Sequence, residues 1–411
     1  MNFPFAAHVV APSIAPFRYA VRTAGFKPSA IREILKVAES PEIVSFAGGL
    51  PAPELFPVEE LARAAATVLS TQGSAALQYG LSEGYVPLRE WVCTYLAETV
   101  GLATSVERVL ILHGSQQGLD LVAKVLIDPN DVVLTDNPAY LGALQAFRSY
   151  QARVVGLQSD RHGLLPDVLD RWLRTSAERP KFLYLNPNFQ NPTGTCLAAE
   201  RRWAIASLAA KYEFPIVEDD PYGELRFSGV AQPALASLPL GQTSIYLGTS
   251  SKILAPGLRV AWLVAPDRSF FERVVTAKQG TDLHTSGFTQ RVVWEAVRPE
   301  GRLRRHVATL RAVYGRRRNA MIAAMKTQFP SGCTWTEPEG GLFLWVQTPP
   351  PIDTERLLPL ALAEKVAFVP GAPFWVDRPV RNTLRLNFSN ASEERIAYGI
   401  ERLGKAMRNQ A

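Results

Sequence analysis

The stretch SIYLGTSSKILAPGLR (residues 244–259) begins as a short apolar strand and continues as a polar loop. The strand part is rich in β-forming side chains. The loop carries small hydroxyls, Lys252 and, after a Pro-Gly break, Arg259. Neither a helix core nor a buried strand favours this mixture of hydroxyls and cations. The mixture is typical of a loop that binds an anion next to a reactive amine.

The same design recurs in DVVLTDNPAY (131–140), KFLYLNPNFQNPTG (181–194) and FPIVEDDPYG (214–223). Each is an apolar strand that runs into a loop of Asn, Asp, Pro or Gly. Helix-like segments such as 58–70 and 116–127 lie between the strands. This alternation predicts a mostly parallel sheet with helices on both faces. Ligands of such sheets bind beyond the carboxyl ends of the strands, so we expect the polar loops to form the site.

The pattern changes after about residue 300. A long amphipathic helix (about 302–327) precedes the apolar runs GGLFLWVQT (340–348) and TLRLNFS (383–389), and a last helix starts at about 392. This order predicts a smaller α+β domain with a partly antiparallel sheet. The predicted organisation is an N-terminal arm and segment that packs with the small domain and the site (1–57), a large cofactor-binding domain (58–300) and a small C-terminal domain (301–411).

Composition narrows the class of protein. The 411 residues are 47% hydrophobic and carry a net charge of +6, which is ordinary for a globular chain and favours small anionic ligands. Three widely spaced cysteines suit a reducing compartment, so we expect a cytoplasmic protein. The apolar start has no basic segment and is not expected to be a signal peptide. We expect no membrane span, no nucleic-acid partner and, from the spacing of His and Cys, no metal site.

The loop residues suit a planar, electrophilic, phosphorylated ligand. Asp219 ends a buried strand and could pair with a protonated ring nitrogen. Lys252, near cations and away from water, would be a nucleophilic amine that forms a Schiff base. Helix-start amides and a cation would bind phosphate. Pyridoxal 5'-phosphate meets these demands. The candidate phosphate ligands are Ser115, Gln116, Thr249, Ser251 and Arg259.

In these motifs the chain resembles the fold-type I pyridoxal-phosphate aminotransferases, in particular the 2-aminoadipate and kynurenine branch. The resemblance implies an α/β fold with a large, mostly parallel sheet domain and a smaller α+β domain. It also implies transfer of an amino group from an L-2-amino acid to a 2-oxo acid such as 2-oxoglutarate. The matching stretches, in family order, are 45–57, 77–80, 113–121, 136–144, 187–194, 217–225, 249–259 and 384–389.

The resemblance assigns roles to single residues. Lys252 matches the covalent cofactor-binding lysine and Asp219 the partner of the ring nitrogen. Tyr222 and Asn191 match residues near the phenolic oxygen, and Tyr140 matches the aromatic residue stacked on the ring. The five phosphate candidates match the family's phosphate site.

The resemblance also assigns residues to the substrate and to a dimer interface. Arg385 matches the arginine that binds the substrate α-carboxylate, and Gly49 matches a backbone position near that carboxylate. Arg32 is a candidate for the substrate side chain. Tyr79 matches a tyrosine donated across a homodimer interface to the neighbour's phosphate, which implies shared active sites.

The immediate sequence around each of these residues also allows a purely structural role. Lys252 could be a solvated loop lysine, and the carboxylates at 219–220 could cap the next turn. Ser115 could be a plain helix cap, and Tyr140 and Tyr79 could be core aromatics. Arg385, between two leucines of a strand, would more often be a surface arginine.

Other pyridoxal-phosphate chemistry (an oxidase, lyase or decarboxylase) would use the same residues. A ligand-sensing regulator is a further alternative, and the short segment before residue 45 makes us expect no winged helix.

Overall fold

The computed structural model describes residues 17–26, 34 and 40–410. The α-helices in these ranges are α1 (Val58–Leu77), α2 (Val86–Val100), α3 (Ser115–Leu126), α4 (Leu141–Ser149), α5 (Pro166–Thr175), α6 (Ala199–Tyr212), α7 (Arg268–Gln279), α8 (Gly287–Val297), α9 (Arg302–Gln328), α10 (Thr354–Ala363) and α11 (Glu393–Gln410). The strands are β1 (Val44–Ser45), β2 (Val109–Leu112), β3 (Val132–Asn137), β4 (Arg153–Asp160), β5 (Gly163–Leu164), β6 (Pro180–Leu185), β7 (Ile216–Asp219), β8 (Ile245–Thr249), β9 (Ala261–Val264), β10 (Thr334–Trp335), β11 (Phe343–Gln347), β12 (Val366–Ala367), β13 (Val369–Pro370) and β14 (Thr383–Asn387).

The large sheet has eight strands in the order β2-β9-β8-β7-β6-β3-β4-β5. Four neighbouring pairs within this order are parallel: β8–β7, β7–β6, β6–β3 and β3–β4. Strand β9 is antiparallel to both β2 and β8, and β5 is antiparallel to β4. The predicted mostly parallel sheet is therefore confirmed.

Helices cover both faces of this sheet. One face packs against α3, α4 and α7, and the other packs against α2, α5, α6 and α8. Alternate residues of a strand enter opposite cores: Leu247 faces the first group of helices and Tyr246 faces the second. Burial on both faces explains why the strands are nearly continuous apolar runs.

The parallel strands end at one edge, where the polar loops meet. Strands β3, β6, β7 and β8 finish at Asn137, Leu185, Asp219 and Thr249. The loops that follow these strands are rich in Asn, Asp and Ser, and their polar groups meet at that edge. This arrangement positions the site.

A second sheet follows, with four strands in the order β10-β11-β14-β13, all antiparallel. It shares a core with α9 and α11. Near the start of the described chain, β1 pairs in parallel with β12, so residues 44–45 contact this part of the molecule. No helix within the described ranges is long and apolar enough to cross a membrane.

Candidate active site

A cavity of about 260 Å³ lies at the carboxyl edge of the large sheet. It collects side chains from the loops after several strands and from β14 of the second sheet. Asn186, Pro221 and Pro256 form part of its wall. The residues predicted from the sequence that line it are Gly49, Ser115, Gln116, Tyr140, Asn191, Asp219, Tyr222, Thr249, Ser251, Lys252, Arg259 and Arg385.

Lys252 follows β8 and extends its amine into the cavity. Its Nζ donates a hydrogen bond of 2.8 Å to the carbonyl oxygen of Gly49. Burial lowers the pKa of Lys252 to about 8, and the positive charges of Arg385 and Arg259 act in the same direction. An amine in this environment is available in its neutral, nucleophilic form near neutral pH. The interpretation of Lys252 as a solvated loop lysine is wrong.

Asp219 is the last residue of β7 and is almost completely buried. Burial raises its pKa to about 7; the hydrogen bond from Tyr184 opposes this shift and the negative charge of Asp220 adds to it. The Tyr184 hydroxyl donates to Oδ2 at 2.8 Å, while the buried Oδ1 has no hydrogen-bond partner in the described structure. The neighbouring carboxylate, that of Asp220, is bonded differently. Its Oδ1 accepts from the Gly223 N–H at 3.0 Å and so caps the turn.

Arg385 lies in the middle of β14 and is 1% exposed. Its Nη1 donates to Asn191 Oδ1 at 2.7 Å and its Nη2 donates to the Ala47 carbonyl at 2.6 Å, while the buried Nε has no partner in the described structure. The guanidinium carbon lies 4.3 Å from the ring centre of Phe343. Burial lowers the pKa of Arg385 to about 10, which leaves it cationic at neutral pH. The local interpretation as a surface arginine is therefore wrong.

Arg259 forms one wall of the cavity, and its guanidinium lies against Gly114. Gly114 has φ of 79° and ψ of 154°, a combination almost restricted to glycine. A Cβ on Gly114 would lie 2.2 Å from Arg259 Nη2, so the absent side chain leaves room for the guanidinium. Arg259 itself adopts a left-handed conformation, with φ of 53°. Ser115, which follows Gly114 in the chain, is the first residue of α3 rather than its cap, since Gly114 holds the cap position.

Hydroxyls and an amide complete this wall. Thr249 Oγ1 donates to Ser251 Oγ at 3.0 Å and accepts from the Ser251 N–H at 3.1 Å. Gln116 Nε2 donates to the Gly142 carbonyl at 2.9 Å. Tyr140 is half-buried against the same region, and burial raises its pKa to about 12. Tyr140 therefore presents a neutral ring to the cavity at any physiological pH.

Two predicted residues lie elsewhere. Tyr79 is 79% exposed and does not line the cavity of its own chain; its ring packs edge-on against His284 at 5.8 Å. The alternative local interpretation of Tyr79 as a core aromatic is therefore wrong. Arg32 lies outside the described residues.

The sequence interpretation missed Asn186 and Tyr184. Asn186 follows β6 directly, donates to the Asp219 carbonyl at 2.6 Å and accepts from the Asn191 N–H at 2.8 Å. Its position after a strand is the signal that could have identified it. Tyr184 lies inside β6, where an aromatic residue is usual in a core. Nothing in the local sequence distinguishes it.

The polar groups of this cavity fit pyridoxal phosphate. The unpartnered Asp219 Oδ1 can accept a hydrogen bond from a ring nitrogen, and the unpartnered Nε of Arg385 adds donor capacity beside Asn191. The first two amides of α3, those of Ser115 and Gln116, have no partners within the helix, which suits a phosphate next to Arg259. Lys252 supplies the amine that an aldehyde requires.

Comparisons with known proteins agree with this chemistry. Residues 43–403 match the family model described as aminotransferase class I and II. The chain is 44% identical over 383 residues to the 2-aminoadipate transaminase of Thermus thermophilus, covering 92% of this chain and 94% of the relative. It is 40% identical over 395 residues to the aromatic-amino-acid aminotransferase 1 of Thermococcus litoralis, covering 95% and 94%.

A solved structure extends the likeness to the fold. The alpha-aminoadipate aminotransferase of Thermus thermophilus, complexed with N-(5'-phosphopyridoxyl)-L-leucine, superposes with a TM-score of 0.88. The two chains are 42% identical, and the match covers 95% of this chain and 97% of that one. The chain therefore belongs to the class I and II aminotransferases and is a pyridoxal-phosphate-dependent transaminase of fold type I.

Proposed function

We propose that this aminotransferase uses 2-aminoadipate, aromatic or aliphatic L-2-amino acids as amino donors and 2-oxoglutarate as an acceptor. The observation that carries the proposal is the shared cavity of Lys252, Asp219 and Arg385. An amine, a carboxylate for the ring nitrogen and a cation for the α-carboxylate are the groups that transamination requires. The 2-aminoadipate and aromatic donor classes follow the names of the two relatives, which are a 2-aminoadipate and an aromatic-amino-acid transaminase; the aliphatic class comes from the sequence resemblance alone.

The roles of the substrate-binding residues are part of the proposal. Arg385 binds the α-carboxylate, which amino acids and 2-oxo acids share, so one guanidinium serves both half-reactions. Asn191, already bonded to Arg385 Nη1, keeps that guanidinium in place. Gly49 offers only backbone beside Lys252, and a Cβ there would lie 3.2 Å from the Phe343 ring. Arg32 remains a predicted contact for the substrate side chain.

The cofactor, when bound, withdraws electrons from the substrate Cα. Asp219 Oδ1 holds the proton on the ring nitrogen, and Lys252 Nζ moves the proton of the substrate Cα. Tyr140 would cover the ring, and Tyr222 lines the cavity together with Asn191. The proposed phosphate ligands are Ser115, Gln116, Thr249, Ser251 and Arg259.

The visible absorption spectrum of the purified protein tests this function. We expect a yellow band that bleaches when 2-aminoadipate, glutamate or an aromatic amino acid is added and returns on adding 2-oxoglutarate. The rates of bleaching rank the donors. A band that shifts without completing the half-reaction would indicate an oxidase, lyase or decarboxylase, or a sensor. A protein that cannot be reconstituted with pyridoxal phosphate would contradict the proposal.

We also propose a homodimer in which Tyr79 completes the neighbour's phosphate site. Tyr79 is exposed, and Leu77 and Leu81 beside it are also exposed, at 73% and 61%. Such neighbouring apolar side chains favour a protein interface. Mixing K252A and Y79A proteins tests this arrangement, because each mixed dimer would contain one site with both native residues. Activity above that of either variant alone supports the proposal; no gain after verified subunit exchange contradicts it.

The cytoplasmic location stays a prediction from cysteine content. Cys93, Cys196 and Cys333 are free thiols in the structure.

A further inference from the structure

Tyr184 contacts the carboxylate that faces the cofactor ring, although it does not line the cavity. Its side chain is buried in β6, and its hydroxyl donates to Oδ2 of Asp219 on the neighbouring strand β7 at 2.8 Å. The other carboxylate oxygen, Oδ1, is the one without a partner in the described structure. The hydrogen bond therefore determines which oxygen of Asp219 remains free for a ligand.

The donor that binds the Asp219 carboxylate, the Tyr184 hydroxyl, is neutral. The Asp219 backbone carbonyl accepts from Asn186, which fixes the end of the strand but does not touch the carboxylate. A neutral hydroxyl stabilises the ionised carboxylate without cancelling its charge. An arginine or lysine in the same place would compete with the protonated ring nitrogen for that charge.

The titratable groups around Asp219 act on its ionisation in different ways. Asp220 follows it in the chain, and its charge acts against a second carboxylate. Tyr140 and Tyr222 face it from the loops that follow β3 and β7, and both have raised pKa values caused first by burial. The cations Lys252 and Arg385 line the same cavity. Among the contacts of Asp219, the Tyr184 hydroxyl is the group that favours the charged form.

We infer that Tyr184 is a positioning residue for transamination: its hydroxyl orients Asp219 so that Oδ1 faces the ring nitrogen, and it keeps the carboxylate ionised when the cofactor binds. This inference rests on the proposed function. Tyr184 acts through Asp219 and touches neither substrate nor cofactor.

The chain offers a matched control one strand away. Tyr246 on β8 is also buried, and its hydroxyl donates to Asp220 Oδ2 at 3.3 Å. Asp220 does not line the cavity, and its other oxygen is occupied by the Gly223 N–H. Y184F and Y246F therefore remove similar buried Tyr–Asp hydrogen bonds, but only the first affects the carboxylate that faces the ligand.

The test measures cofactor binding to the full-length protein between pH 6 and 9. Holoenzyme is dialysed, pyridoxal phosphate is added back, and the apparent Kd is determined from the absorption band. Without the Tyr184 donor, the pKa of Asp219 rises, so Y184F should bind on the order of 10-fold more weakly than wild type near pH 6.5. The ratio should fall clearly toward pH 9, where Asp219 is ionised in both proteins and only the loss of its orientation remains. Y246F should give a ratio near one throughout.

Three outcomes would overturn the inference. A Y184F ratio that does not change with pH would indicate a structural role, and equal effects of Y184F and Y246F would indicate general loosening of the sheet. In the D219N background, Y184F should add nothing to the Kd; an added effect would show that Tyr184 does not act through Asp219. This cycle also decides the case if Y184F alone folds poorly. Failure of wild type to bind the cofactor would instead contradict the proposed function.

Discussion

Arg385 Nη1 and Asn191 Oδ1 form a hydrogen bond of 2.7 Å between residues 194 positions apart in the sequence. Arg385 belongs to β14 of the second sheet, and Asn191 to the loop after β6 of the large sheet. The bond joins the two parts of the molecule at the cavity. Any shift of one sheet relative to the other would therefore change the position of the guanidinium that we assign to the substrate α-carboxylate.

Replacing Arg385 by lysine should weaken both half-reactions together. A lysine cannot reproduce two parallel hydrogen bonds to a carboxylate. Hydrogen bonds to charged groups are worth about 1.5–3 kcal/mol, so kcat/KM for donor and acceptor should each fall about 10–100-fold. Steady-state kinetics with both substrates measure this. R381K is the control, because Arg381 is exposed and pairs with Asp353 and Glu355. An R385K effect on the donor alone would contradict the assignment.

Replacing Gly114 by alanine should weaken cofactor binding. The new Cβ would meet Arg259 Nη2 at 2.2 Å and would also occupy a backbone conformation that non-glycine residues rarely adopt. Displacing the Arg259 guanidinium would remove a charge-assisted hydrogen bond to the phosphate worth about 1.5–3 kcal/mol, which predicts an apparent Kd for pyridoxal phosphate raised roughly 10-fold or more. The measurement is a titration of the cofactor-free protein.

The control for this prediction is G257A. Gly257 lies two residues before Arg259, and a Cβ there would meet nothing within 4 Å. G257A should bind the cofactor as wild type does. Equal binding by G114A and wild type would remove Arg259 from the proposed phosphate site.

Replacing Asp219 by asparagine should stabilise the cofactor-free protein while abolishing its use of the cofactor. The folded-state pKa of Asp219 is about 7, against an ordinary value of 3.8. The folded chain therefore binds more protons than the unfolded chain between these values, and the stability contributed by protonated Asp219 is lost as the pH rises through about 7. At pH 8 we expect D219N to melt about 2–4 °C higher than wild type.

The pH dependence distinguishes this cause from general effects of the substitution. Near pH 4 the difference in Tm between D219N and wild type should disappear, because Asp219 is then protonated in the folded protein. Adding pyridoxal phosphate at pH 8 should reverse the order, since wild-type Asp219 gains a cationic partner. The same Tm difference at both pH values would contradict the assigned pKa.

Replacing Lys252 by arginine should stop turnover without unfolding the protein. Arginine keeps the positive charge but offers no neutral amine for proton transfer. We expect the rate of the half-reaction to fall by at least about 10²-fold, measured by stopped-flow absorption after mixing with an amino donor. A near-wild-type rate would remove Lys252 from the mechanism.

Much of the fold and site follows from local sequence patterns. Lys252, Asp219 and Asn191 each follow or end an apolar strand, and parallel strands bring such positions to one edge. The strand order is not a local property, so the antiparallel β9 between β2 and β8 was not predicted. Arg385 shows the same limit: alternation with Leu384 and Leu386 places it on the opposite face of β14, but only tertiary packing reveals that this face is buried. The partner of Tyr184 depends on strand order in the same way.

The most direct test of the central claim, that Lys252 holds the cofactor, is borohydride reduction of the holoenzyme followed by peptide mass analysis. Reduction fixes the bond between the cofactor and its lysine, so the cofactor mass should appear on the peptide that contains Lys252. Holoenzyme treated first with excess amino donor should show little label on that peptide. A label on another lysine, or none on a yellow holoenzyme, would contradict the account.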